Sequence, residues 1–168
     1  MKKSVLSYQN ATKYIIETLR MAEVFTKDMK KIIDNTEKVT FESELQFWFR
    51  IAIRTAIDYI DALVYRLGFL SKEIIKLRED EKKIYSKPKE KNLRLFFKEL
   101  AIAINSKFDV EEDDKFLNNY YDARKIRHRV THPKKLADLS VLLEEYRKVV
   151  DAYEWFDYCL KKISRHRA

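Results

Sequence analysis

Between Arg124 and Lys135 the chain carries six lysines or arginines, no acid, and two of its three histidines. The stretch runs Tyr120-Tyr121-Asp122-Ala123-Arg124-Lys125-Ile126-Arg127-His128-Arg129-Val130-Thr131-His132-Pro133-Lys134-Lys135. A guanidinium cannot shed its charge, so an arginine on an inward face must pair with an acid or hold an anion. Imidazole is the side chain that exchanges protons near neutrality. Arg127 and His132 therefore offer an anion-holding cation and a proton carrier within one short segment.

Helical spacing places the two. Phe116, Tyr120 and Ala123 form the apolar stripe of a helix, and Arg127 is the next position along it. Pro133 disfavours α conformation at His132 and is expected to end the helix there. His132 can then swing back toward the face that carries Arg127. The competing reading is structural: Arg127 pairs with an acid such as Asp58 or Asp61, and His132 caps the helix.

The elements that must position this segment are all helical. One glycine and two prolines are too few for a turn-rich β protein, and Lys, Glu, Leu, Ile and Ala favour long helices. Periodicity predicts a first helix over Asn10–Asn35, striped by Tyr14, Ile15, Leu19, Ala22, Phe25, Met29 and Ile32. A second starts near Thr40, a candidate N-cap, and is apolar on most of its circumference, so it should be central. Gly68 is expected to cap or bend it, and Ser71 to cap a continuation through Leu77. Arg78 to Asn92, with Pro88, reads as an exposed loop. A helix over Leu93–Asn105 follows, with Leu95, Phe96, Leu100 and Ile104 facing the core. The next begins among the acids Glu111–Asp114 and ends near Val130. The last spans Leu136–Ile163. The expected fold is an all-α compact bundle of four to six helices in a single domain, residues 1–168.

Arg127-His128-Arg129-Val130-Thr131-His132 resembles the signature of the HEPN superfamily: an Arg, a polar residue, a few more positions, then His. The following Pro133 and the placement near the end of a late helix match as well. The resemblance implies an HEPN-like helical domain and, in many members, metal-independent endoribonuclease activity. Cleavage would be a transesterification in which a base takes the ribose 2′-OH proton and the freed oxygen attacks the adjacent phosphate. His132 would be the general base or acid, Arg127 would hold the phosphate, and His128 would orient Arg127 or carry a second proton. Arg124, Lys125, Arg129, Lys134 and Lys135 would bind the RNA backbone. The resemblance also implies a homodimer with a composite site, a toxin or antiviral-defence role, and an antitoxin or other regulatory protein as partner. Other members bind RNA or a nucleotide without cutting it, or serve as protein-interaction modules. Two positions after His132 stands Lys134, not the tyrosine of one variant of the family, so a toxin neutralised through that tyrosine is not implied.

The remaining chemistry is sparse. His128 and His132 have the i, i+4 spacing of a helical metal pair, but Pro133 interrupts the second position and no third ligand lies nearby, so neither a metal nor a cofactor is assigned. His166 sits in an Arg165-His166-Arg167 tail and is expected to be inert. Trp48, Phe96, Trp155 and Phe156 read as core. A glycine-rich phosphate loop cannot be built from one glycine. Cys159 is the only cysteine, which excludes an internal disulfide and suits a reducing cytoplasm. Behind Lys2-Lys3 the apolar run is two residues long, so no secretory leader is expected. No run approaches a membrane span, because Arg50, Arg54, Asp58, Asp61 and Arg66 interrupt the most apolar helix. The formal net charge of +8 agrees with an anionic partner.

Overall fold

The computed structural model describes residues 7–77, 93–110 and 115–165. Among these are five α-helices and one short 3-10 turn, with no strand: α1 (Tyr8–Lys38), α2 (Glu42–Leu77), α3 (Leu93–Ala103), α4 (Lys115–Thr131), the 3-10 turn (Leu136–Leu139) and α5 (Leu143–Arg165). The architecture is an all-α bundle. The expected loop over 78–92, the acids at 111–114 and the tail containing His166 lie outside the described residues. Among the described residues no helix is long and apolar enough to cross a membrane.

Helix ends follow local chemistry. Ser7 opens α1, its Oγ accepting the Asn10 N–H at 3.3 Å and its carbonyl the Ala11 N–H at 2.9 Å. The first bond of α2 runs from the Leu45 N–H to the Phe41 carbonyl, so Phe41 and not Thr40 holds the capping position. Asn105, at a positive φ of 55°, closes α3. The Asn105 N–H reaches the Ile102 carbonyl at 3.2 Å and the Ser106 N–H the Ala101 carbonyl at 2.8 Å, the paired bonds of a Schellman stop.

The described residues of Met1–Ala22, Ala62–Glu112 and Cys159–Ala168 form one compact unit, and those of Glu23–Asp61 and Asp113–Tyr158 another. Helices α1, α2 and α5 each contribute to both. In the first unit Ile15, Leu67, Ile74, Leu93, Phe97, Leu100 and Ile163 are buried, as is Cys159. Arg66 there donates from Nε to Thr18 Oγ1 at 2.7 Å. Gly68 does not cap: α2 continues past it, and a Cβ at that position would meet Phe96 Cδ2 at 3.7 Å. Ser71 is likewise no cap but a fully buried residue within α2. In a helix this apolar, burial against α3 keeps the chain helical through both positions.

The second unit buries Met29, Phe49, Ile53, Ile57, Tyr120, Ala123, Val130, Val149 and Phe156. Phe25 stacks on Tyr59 at 4.0 Å between centroids, and Phe49 on Tyr146 at 4.5 Å. Tyr14 of the expected α1 stripe and Leu143 of the expected α5 stripe are exposed instead. The single helix expected over Leu136–Ile163 is in fact the 3-10 turn followed by α5. Its break has a side-chain cause. Asp138 Oδ2 accepts the backbone N–H groups of Lys134 and Lys135 at 2.8 and 3.1 Å, and arginines take the carbonyls of Asp138, Leu139 and Ser140. Those bonds compete with a continuous helix and win. Glu145 then restarts it, accepting the Leu142 N–H at 3.0 Å as the acidic half of a capping box.

Candidate functional site

Five polar residues of apolar α2, Gln46, Arg50, Arg54, Asp58 and Asp61, lie in one row within the second unit. Gln46 exchanges two hydrogen bonds with the backbone of Val141, each 2.9 Å. Arg50 donates to the Leu139 carbonyl at 3.2 Å and Arg54 to the Val130 carbonyl at 2.9 Å. Asp58 accepts from Arg127, and Asp61 from the Tyr120 hydroxyl at 3.1 Å. As numbers rise along α2 those of the partners fall, so α2 and α4 run antiparallel with this row as their seam. Arg54 also serves as the C-terminal cation of α4, neutralising a carbonyl that the helix leaves unbonded.

Arg127 points from α4 toward this seam. Its Nη2 donates to Asp58 Oδ1 at 2.7 Å, with Asp58 54% and Arg127 32% exposed. Asp58 is one of the two acids, with Asp61, that the structural reading of the sequence names, and it is exposed and not buried. The ion pair is open to solvent, and it engages only one of the guanidinium's five N–H groups. Arg127 Nε is buried and has no hydrogen-bond partner among the described residues, and the same holds for Thr131 Oγ1 one turn further along. Buried donors left unpaired are rare and call for a cause.

His132 does not swing toward Arg127. Its N–H still donates to the His128 carbonyl at 2.9 Å, so the helical backbone persists one residue beyond α4. The two imidazoles face each other with centroids 5.1 Å apart and planes inclined by 50°. Proline restrains its predecessor toward extended backbone, yet only ψ of His132 needs to change to leave the helix, and its N–H is still free to donate. Two adjacent rows result on α4: Arg127 with Thr131, and His128 with His132, both histidines exposed.

The other basic residues separate by role. Arg129 is committed: Nη1 donates to the carbonyls of Asp138 and Ser140 at 3.1 and 2.7 Å, and Nη2 to both Glu145 oxygens at 2.8 and 2.7 Å. This departs from its expected place among the RNA-binding cations, because its donors turn inward to brace the connection between α4 and α5. Arg124 lies 3.9 Å from Asp61 and over the ring of Tyr120, 5.8 Å from its centroid. Burial, and then the neighbouring Asp61, push the Tyr120 hydroxyl far above its ordinary range, which keeps it a donor. Lys125 is largely exposed, with Asp122 at 3.5 Å. Lys134 and Lys135 are exposed, although their backbone N–H groups hold Asp138.

Arg127, His128 and His132 thus share one helix end, with Lys134 and Lys135 just beyond. Sequence reading missed Thr131, and it missed Glu145 as the partner that removes Arg129. The signal for Glu145 was present as an acid in the first turn of a helix that follows a basic segment. No protein family, curated protein or solved structure matches this chain.

Proposed function

We propose that the chain is a metal-independent endoribonuclease whose site is the end of α4. The observation that carries this reading is the row of two exposed imidazoles, 5.1 Å apart, beside a part-exposed arginine whose guanidinium makes a single bond among the described residues, to Asp58. In-line cleavage of RNA needs a base for the 2′-OH proton, an acid for the departing 5′-oxygen, and a cation on the phosphate. One histidine takes the 2′-OH proton as O2′ bonds to phosphorus. The bond from phosphorus to O5′ breaks, and the second histidine delivers a proton to O5′. The products are a 2′,3′-cyclic phosphate and a 5′-hydroxyl end.

Arg127 holds the non-bridging phosphate oxygens through the donors that Asp58 leaves unused, and Asp58 positions it. Thr131 Oγ1 adds a hydrogen bond on the same row. Arg124, Lys125, Lys134 and Lys135 flank the rows and would take neighbouring phosphates, with the salt dependence of counterion release. The resemblance at Arg127 to His132 favours the same reading, and with it a homodimer, a cytoplasmic setting, a toxin or defence role, and a regulatory protein partner.

The test is incubation of a structured RNA with purified protein in EDTA. The expected result is cyclic-phosphate ends from wild type and a loss of at least about 100-fold in His132→Ala, as removal of a general acid or base produces. Arg127→Ala should lose cleavage while still folding. Wild type that binds RNA in a salt-sensitive way but leaves it intact would overturn the proposal and make the chain an RNA-holding module.

A further inference from the structure

We infer that His128 and His132 form a binding site for a divalent transition-metal ion of the zinc class. The sequence argues against such a site because Pro133 should end the helix before the second ligand is in place. The structure removes that objection, since the His132 N–H keeps its helical bond to the His128 carbonyl. The pair therefore retains true i, i+4 geometry.

The separation fits one ion. Zinc to imidazole nitrogen is about 2.0–2.1 Å, and each nitrogen lies about 1.2 Å from its ring centre. Two imidazoles on one tetrahedral ion then have centroids roughly 5.2 Å apart, against 5.1 Å between His128 and His132. Binding would in addition require a nitrogen of each ring to turn toward a common point by rotation about the side-chain torsions. Both rings are exposed, and neither has a hydrogen bond that an ion would have to break among the described residues. Three neighbouring cations are offset by acids, Arg127 by Asp58, Arg129 by Glu145 and Lys125 by Asp122, while Lys134 and Lys135 beyond His132 are exposed and oppose a dication.

Among the described residues no cluster offers three or more His, Cys, Asp or Glu ligands. The site is therefore two-coordinate from protein, with water completing the shell, and binding is reversible. Imidazole ligands select copper, nickel and zinc over magnesium, which prefers oxygen. One consequence rests on the proposed nuclease reading: an ion on both imidazoles occupies the lone pairs that proton transfer requires, so occupancy silences cleavage.

The experiment is isothermal titration of untagged, full-length protein with zinc chloride, and with magnesium chloride as the comparison. We expect one zinc per chain, no magnesium uptake, and an affinity loss of at least about tenfold in each of His128→Gln and His132→Gln. Both side chains are exposed, so the variants should melt as wild type does. Zinc uptake unchanged in the double variant, which retains His166 and Cys159, would overturn the inference, as would no uptake by wild type. Zinc binding without any RNA cleavage would leave this site standing and remove the nuclease reading. RNA cleavage without zinc binding would do the reverse.

Discussion

Arg127 and Arg129 are separated by one residue on α4, yet truncating them should have opposite consequences. Arg129 makes two bonds to main-chain carbonyls and two to Glu145. Each carbonyl bond contributes about 0.5–1.5 kcal/mol. The ion pair, with its members 31% and 25% exposed, adds about 0.5–1 kcal/mol once solvent screening is allowed for. Arg129→Ala should therefore cost about 1.5–4 kcal/mol, a fall in Tm of roughly 3–16 °C for a chain of this size. Arg127 has one bond, to a half-exposed acid, worth about 0–1 kcal/mol. Against that stands its buried Nε, whose unpaired burial costs about 1–3 kcal/mol and disappears with the side chain. Arg127→Ala should therefore cost no more than about 1 kcal/mol. Urea unfolding followed by tryptophan fluorescence suits the comparison, because Trp48 and Trp155, the only two, both lie in the unit that holds these arginines. A loss below about 1 kcal/mol in Arg129→Ala would refute the assignment of that residue as a brace. So would coupling to Glu145 below about 0.2 kcal/mol in a double-mutant cycle. A loss above about 2 kcal/mol in Arg127→Ala would make that residue structural and weaken its place in the site.

Two further outcomes follow from local geometry. Gly68→Ala should stabilise by about 0.5–1 kcal/mol, because the added methyl meets Phe96 at an ordinary 3.7 Å; a lower Tm in thermal melts would contradict this. Asp138 is held below the usual carboxylate range, chiefly by the Lys134 backbone N–H. A depressed folded pKa means that the unfolded chain binds the proton first, so the stabilisation is present above about pH 4 and is lost as pH falls through the folded value. Wild type and Asp138→Asn should therefore differ in stability most above the ordinary carboxylate range and converge as pH falls through the folded value, and a gap independent of pH would show that the carboxylate charge is not the cause.

The fold was legible where burial and periodicity agree, as along Ile53, Ile57, Ile60 and Leu67 of α2, each fully or almost fully buried. It was less legible where a side chain bonds to backbone. Asp138, Arg50 and Arg129 divide an apparently continuous pattern over Leu136–Ile163, and hydrophobic spacing carries no trace of such bonds. Gly68 and Ser71 misled for a related reason: propensity marks them as breaks, whereas tertiary burial of the surrounding apolar residues overrides propensity. In the candidate site, residue types pointed to Arg127, His128 and His132 as candidates, and the charges inside α2 offered Asp58 or Asp61 as a partner, of which Asp58 takes Arg127. What could not be read was the side-chain direction of His132, whose ring lies beside that of His128 because its N–H keeps the helical bond.

The row along α2 has a consequence for how this protein can change over generations. Gln46, Arg50 and Arg54 address main-chain groups of Val141, Leu139 and Val130. Any residue supplies a carbonyl, so those three positions can drift without an answering change on α2. Asp58 with Arg127, and Asp61 with Tyr120 and Arg124, join side chain to side chain, and a change in one member asks for a change in the other. In a set of relatives, paired substitution should therefore trace only the half of the seam nearest the candidate site. The other half should register as a fixed length between residues 130 and 141, intolerant of insertion and nearly indifferent to spelling.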